Sequence, residues 1–327
     1  MTPGRAPMRL LDDIAGKGEG SMLRYWLRLS RPEFHTVGIF PLLLGAVAGY
    51  AVAGRAEPLA LLIALAATVM IMLVTYWTGE VFDFEVDALS ARLEKNRFSG
   101  GTLVLQTTGL PRERVLKAAA IVAALAAVAG ASLVWGLGYG PDLFLAGAAG
   151  AFMGFFYSTA PFRWAYRGVG ETFIAIAYGW LPVAVGYHLQ TRLWDAGPIL
   201  LLGTPVAISI FMVILINEFP DYPADSQLNK RNLVVRLGRQ RAAFLYFLAS
   251  VLLISSLVLP LFMGVRPFLP ALPMVALAVL NGADMWRGIW QDKARLERLC
   301  ARTILLNLGI TLLLAVGVLT FGCPCGS

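Results

Sequence analysis

Nine stretches of this sequence approach the length and apolarity needed to cross a lipid bilayer, and this feature restricts the fold more than any other. They are 34–54, 58–79, 116–137, 141–159, 168–189, 196–217, 242–263, 267–284 and 302–321. A helical span needs about 20 mostly apolar residues. Lipid offers no hydrogen bonds, so a spanning backbone must satisfy its own polar groups. Composition agrees: 58% of the 327 residues are hydrophobic and 14% are charged, where a soluble domain carries about 25% charged residues. The eighth stretch is the weakest, being short and interrupted by Pro270 and Pro273. The expected fold is all-α, a polytopic bundle of about nine transmembrane helices. Residues 31–321 would form one membrane domain between an N-terminal segment, 1–30, and a short tail, 322–327.

The basic residues orient this bundle. Twenty-four of the 27 Lys and Arg residues lie before the first stretch or after an even-numbered one, and only Arg55, Arg192 and Arg266 lie on the other side. Cytoplasmic loops carry such an excess, so the N-terminus is expected in the cytoplasm and the tail outside. The net charge of +7 then reflects topology and anionic substrates, not nucleic acid. The first 30 residues have no apolar run ending in a small-residue cleavage site, so no cleavable signal is expected. Cys323 and Cys325, with Cys300 the only cysteines, make too small a set for a metal site and read as an unstructured tail.

Charges at the ends of membrane helices are functional candidates by default. Glu80-Val-Phe-Asp83-Phe-Glu-Val-Asp87 closes the second stretch, and Glu218-Phe-Pro-Asp221-Tyr-Pro-Ala-Asp225 follows the sixth. Both read ExxDxxxD, 138 residues apart, and by the charge asymmetry both face the cytoplasm. Positions i, i+3 and i+7 share one helix face. Two such faces opposed across a bundle make an oxygen-rich pocket. Mg²⁺ favours one or two carboxylates, waters and substrate phosphates. The expected cofactor is therefore Mg²⁺ on a bound diphosphate, with Asp83, Asp87, Asp221 and Asp225 as first ligands and Glu80 and Glu218 as second. Glu85 falls between the ligand positions.

Basic residues follow each motif. Arg92, Lys95 and Arg97 precede Phe98-Ser99-Gly100-Gly101-Thr102, and Lys230, Arg231 and Arg236 follow the second motif. A diphosphate leaving group needs cations beyond the metal, which makes Lys95, Arg97 and Lys230 candidate phosphate contacts. The glycines would let the backbone approach phosphate closely.

At these residues the chain resembles the UbiA-type intramembrane prenyltransferase superfamily over about residues 25–320. The second motif, Asn217-Glu218-Phe-Pro-Asp221-Tyr-Pro-Ala-Asp225, with Asn229-Lys230-Arg231-Asn232-Leu233 and Arg236-Leu237-Gly238 beyond it, is similar to that family's. Asn217 is its supporting residue. The stretch Tyr157 to Glu171, the pattern from Gly179 to Thr191 and Arg31-Pro32 resemble the menaquinone branch, which prenylates 1,4-dihydroxy-2-naphthoate. The resemblance implies a membrane enzyme that takes a polyprenyl diphosphate and an aromatic acceptor at the inner membrane's cytoplasmic face. It implies that Tyr157 shields a carbocation and that Arg163 sits near the diphosphate. Three departures stand out. Gly79 replaces the usual Asn, Glu80 and Glu218 replace commoner Asp, and Pro220 and Pro223 would kink the second motif's helix.

The chemistry expected is loss of diphosphate from an allylic carbon and attack by an electron-rich ring, with Tyr157 and Phe156 offering cation–π faces. No general base is evident. His35 lies near the cytoplasmic end of the first stretch, and His188 lies near the outer end of the fifth. Rival readings are another UbiA-type acceptor (4-hydroxybenzoate, haem, chlorophyllide or glycerol phosphate) and a transporter or lipid-binding protein. The acidic groups sit at a surface and not at the midplane, which disfavours transport.

Overall fold

The computed structural model describes residues 20–93 and 96–324. Among them every regular element is helical. In chain order these are α1 (Gly20–Leu29), α2 (Thr36–Ala53), α3 (Pro58–Phe82), α4 (Phe84–Ser90), α5 (Val104–Thr108), α6 (Arg112–Ala131) and α7 (Pro141–Phe155). They continue with α8 (Gly170–Ala175), α9 (Leu181–Thr191), α10 (Ala196–Gln227), α11 (Leu233–Leu237), α12 (Arg239–Phe262), α13 (Leu272–Trp286) and α14 (Lys293–Phe321). A π turn, Ile176–Trp180, joins α8 to α9 as one span.

Eight segments are long and apolar enough to cross a membrane. The fourth expected stretch, 141–159, is the exception: α7 has only 15 residues. The chain leaves the helix at Phe156 and folds back, so that Trp164 and Ala165 N–H donate to the carbonyls of Phe156 and Tyr157 at 3.0 and 2.9 Å. This early exit turns Tyr157 and Ser158 over the acidic motifs. The weak eighth stretch does form a segment, Arg266–Trp286, whose 3₁₀ start carries Pro270.

Burial identifies the centre of the bundle. The apolar window of α10 is 67% buried, and that of the segment Arg112–Gly136 is 11%. The first is the axis, and the second is a rim helix with its side chains turned outward. Close approach elsewhere depends on small residues. A Cβ on Gly45 of α2 would stand 2.0 Å from the Val183 carbonyl oxygen, and one on Gly186 of α9 would stand 2.0 Å from that of Leu42. The two helices therefore touch backbone to backbone.

The prolines of the second motif do not end α10. Pro220 and Pro223 lie inside an unbroken helix of 32 residues. Each proline leaves the carbonyl four residues earlier without its helical donor. Cys300 Sγ supplies a weak contact to Ile216 O at 3.9 Å, and Arg239 Nη2 donates to Phe219 O at 3.2 Å. Neighbouring helices thus take up the freed oxygens, and the spacing of Glu218, Asp221 and Asp225 is kept.

Candidate active site

Both acidic motifs open onto one cavity of about 220 Å³. Glu80, Asp83, Asp87, Glu218, Asp221 and Asp225 all line it, with Asn217, Tyr157 and Lys230. The two helices differ in how they present their acids. The second motif is wholly within α10. The first is broken: α3 ends at Phe82, Asp83 caps it at φ −95°, ψ 10°, and Asp87 belongs to α4. Asp87 N–H still donates to Asp83 O at 2.9 Å, so the bend is small and the acids stay on one side. Glu85 is exposed and outside the set.

Each carboxylate has a distinct environment. Asp83 accepts from Ser158 Oγ and Tyr166 OH, both at 2.7 Å, and Lys230 Nζ stands 3.7 Å away. Asp221 accepts from Ser90 Oγ and, at 2.7 Å, from Gly100 N–H. Asp225 accepts from Asn232 Nδ2 at 2.7 Å. Its other oxygen is buried without a hydrogen-bond partner, as are Asn217 Oδ1 and Glu218 Oε2. Glu80 is already used: Arg31 Nη2 and Thr102 N–H donate to its Oε1, each at 2.7 Å, and Thr102 Oγ1 donates to its Oε2 at 2.9 Å. It anchors the loop before α5 as well as lining the cavity.

Electrostatics follow from this crowding. Burial, then repulsion from Glu80 and Asp83, pushes the Asp87 carboxyl up to about 8. Burial works against the Lys230 ammonium, yet attraction to Asp83 and Asp225 outweighs it and holds the amine well above its ordinary value. Burial and the carboxylate of Glu218 raise the Tyr157 phenol. At neutral pH the tyrosine is a neutral ring and the lysine a fixed cation.

The other expected site residues divide. Lys230 reaches the cavity because its N–H donates to Asp225 O at 2.8 Å, which curls the loop after α10 back over the acids. Arg97 does not line it. Its guanidinium lies over the Phe98 ring at 4.6 Å and borders a neighbouring cavity with Arg28 and Arg31. Arg163 also stays outside, stacked on Tyr166 at 3.6 Å, and touches Asp83 only through that ring. Lys95 and Cys325 fall outside the described residues. His35 bonds Ser30 O at 2.9 Å and does not line the cavity. His188 stacks on Trp194 at 4.1 Å beyond α9. The glycines lie against the carboxylates: Gly100 N–H holds Asp221, and a Cβ on Gly101 would stand 2.1 Å from Asp87 Oδ2.

Several carboxylate partners were not marked individually by the sequence, although Ser158 and Tyr166 lie in the stretch Tyr157 to Glu171 and Thr102 closes the stretch from Phe98. Tyr166, Ser158, Ser90 and Thr102 are ordinary polar residues, and nothing local marks them as carboxylate donors. Glu171 is more informative. It is fully buried, and its Oε1 accepts from Leu233 N–H at 2.7 Å, fixing the start of α11 beside the Lys230 loop. A lone acid just inside an apolar run was the available clue.

Away from the acids the cavity turns apolar, with Val37, Ile174, Ile210, Val213 and Ile214 in its wall. Tyr178 borders both this cavity and a larger apolar one of about 430 Å³ between α3, α6 and α7. One end is thus suited to a multiply charged anion and the other to a hydrocarbon chain.

Known proteins resemble this chain in sequence and in fold. The chain is 27% identical over 221 residues to the 2-carboxy-1,4-naphthoquinone phytyltransferase of Synechocystis sp., covering 66% of either protein. It is 27% identical over 240 residues to the 1,4-dihydroxy-2-naphthoate octaprenyltransferase of Bacillus subtilis, covering 70% of this chain and 73% of that one. Among solved structures, a UbiA homolog from Archaeoglobus fulgidus bound to DMAPP and Mg²⁺ superposes with a TM-score of 0.61 at 15% identity, covering 89% of this chain and 99% of that one. The sequence profile of the UbiA prenyltransferase family matches residues 39–308, and the chain belongs to that family.

Proposed function

We propose that this protein transfers a polyprenyl group from its diphosphate to an aromatic acceptor, 1,4-dihydroxy-2-naphthoate, in a Mg²⁺-dependent reaction. The observation that carries the reading is the convergence of two ExxDxxxD motifs, 138 residues apart, on one cavity whose far wall is apolar. The naphthoate acceptor rests on the two naphthoate-type relatives.

The donor set suits the ion. Asn217 Oδ1, Glu218 Oε2 and Asp225 Oδ1 are buried oxygens without partners at the cavity wall, and all-oxygen surroundings favour a hard cation. Among the described residues no three His, Cys, Asp or Glu side chains close on a single point. Mg²⁺ held here would draw on phosphates and water in addition to carboxylates. Asp83, Asp87, Asp221 and Asp225 would hold it, with Glu218 and Asn217 beside them. Bound Mg²⁺ supplies neutralisation of the charge that develops on the departing diphosphate.

The chain's own groups perform the rest. Lys230 adds a fixed positive charge next to the leaving group. The C–O bond breaks with its electron pair going to the diphosphate. Tyr157 offers a neutral ring face to the allylic cation. The valines and isoleucines at the far wall hold the hydrocarbon and keep water from capturing the cation. The acceptor ring carbon then bonds to the prenyl carbon, and the ring regains aromaticity by losing a proton, or carbon dioxide where it carries a carboxylate. The excess of Lys and Arg on one side supports a cytoplasmic position for the acidic end.

The test uses purified protein in lipid with Mg²⁺, a labelled prenyl diphosphate and dihydroxynaphthoate, with Asp83→Asn alongside. A prenylated naphthoquinol that disappears in the variant and with EDTA supports reaction and acceptor together. Product only with 4-hydroxybenzoate or another acceptor keeps the reaction and replaces the acceptor. No product from folded protein with any acceptor rejects the enzyme reading.

A further inference from the structure

Helix α1 carries a face that the bundle covers only at one edge, where Leu27 and Arg28 border the cavity beside the Arg97 to Thr102 loop. Its ten residues, Gly20–Leu29, contain no acid. At about 100° per residue, Tyr25, Leu29 and Trp26 fall together and face the protein. Leu29 is fully buried, and Trp26 meets Trp77 of α3 edge-on at 5.0 Å. Leu23 and Leu27 fall on the adjoining sector and are 67% and 53% exposed. Arg24 and Arg28 come next around the helix, and both are exposed. A helix that only docked on the bundle would carry polar residues where Leu23 and Leu27 stand.

Position suggests what covers this face. Trp77 lies one turn before Glu80, so α1 rests on the end of α3 that carries the first acidic motif. It also immediately precedes the span α2. This is the level at which the bundle leaves the apolar layer. Exposed leucines flanked by arginines match a surface that is apolar on one side and anionic on the other. We propose that α1 is an interfacial helix seated on anionic phospholipid headgroups, with Leu23 and Leu27 in the acyl boundary and Arg24 at the phosphates. Arg28 connects this seat to the site: its Nη2 donates to Thr102 O at 3.3 Å, and Thr102 in turn holds Glu80.

The test is hydrogen exchange of the full chain in phosphatidylcholine vesicles and in vesicles containing phosphatidylglycerol, with α10 as the internal control. The α1 amides are expected to exchange more slowly in the anionic vesicles, by about fivefold per engaged arginine. High salt should remove most of the difference. The variant Leu23→Asn/Arg24→Gln should lose it while exchange in α10 stays unchanged. Equal exchange in both lipids overturns the proposal, as does a difference that persists in the variant. Protection that vanishes on removing residues 1–19 would assign the face to that segment, and protection that varies with protein concentration would assign it to a second copy. Either result overturns the lipid seat. The readout does not depend on turnover, so it stands or falls apart from the proposed reaction.

Discussion

Arg31 Nη2 donates to Glu80 Oε1 at 2.7 Å, across 49 positions of sequence. The same guanidinium donates to the Gly100 carbonyl at 3.0 Å, and Glu80 also holds Thr102. One buried carboxylate thus ties three chain segments together at the mouth of the acidic cavity. Removing one partner of a buried pair leaves the other charge unpaired, at a cost of about 3 kcal/mol. Glu80→Ala is expected to lower stability by that amount in detergent unfolding. Arg31→Leu combined with Glu80→Leu should recover part of it, and a double variant as unstable as the sum of the singles would show that the two residues are not coupled.

Asp83 and Asp221 separate chemistry from folding. Asparagine keeps an oxygen that can accept from Ser158 or Gly100, so the fold is expected to survive either substitution. Turnover should fall by about 10²–10³ with the loss of one charged group that stabilises the transition state. Steady-state rates alongside thermal midpoints check this. Near-normal rates in both variants would remove the metal assignment.

Asp87 predicts a pH dependence. Its carboxyl is raised from 3.8 to about 8, by burial first and then by Glu80 and Asp83. In that window the metal-free folded chain holds a proton that the unfolded chain has released, so its stability falls as pH rises toward about 8. A metal taken up at Asp87 must expel the proton. Mg²⁺ affinity, measured by calorimetry, should therefore rise with pH up to about 8 and then level. A pH-independent affinity would mean that Asp87 is not a ligand.

Glu171 is expected to act through Leu233, on the prenyl diphosphate's KM more than on kcat. Its Oε1 holds the first amide of α11 and with it the Lys230 loop. A hydrogen bond of this kind is worth about 1 kcal/mol. Glu171→Leu should raise KM about fivefold, while Glu171→Gln, which keeps an acceptor oxygen, should restore it. An equal loss of kcat in both variants would contradict a positioning role.

Gly79 offers a test of local packing. A Cβ there would meet only Ser158 Oγ, at 3.9 Å, and the residue lies inside α3. Alanine in place of a mid-helix glycine should stabilise the protein by about 0.5–1 kcal/mol, visible as a higher unfolding midpoint. A lower one would show that the bend at Asp83 needs the glycine.

By itself the sequence determined the helical class, nearly all the spans and the pair of acidic motifs. These signals are local: a run of apolar residues states its own length, and ExxDxxxD states its own helical face. Only the tertiary structure decided which cations serve the acids. Arg97, Arg163 and Lys230 look alike in sequence, yet the loop after α10 folds back through Asp225 and brings in Lys230 alone. It also decided that α7 stops short, because the chain beyond it pairs with its own turn, and that Pro220 and Pro223 leave α10 intact, because Cys300 and Arg239 meet the carbonyls they free. Arg31 with Glu80 and Ser90 with Asp221 lie 49 and 131 residues apart. Contacts between residues that far apart leave no periodic trace in a single chain, so only packing can specify them.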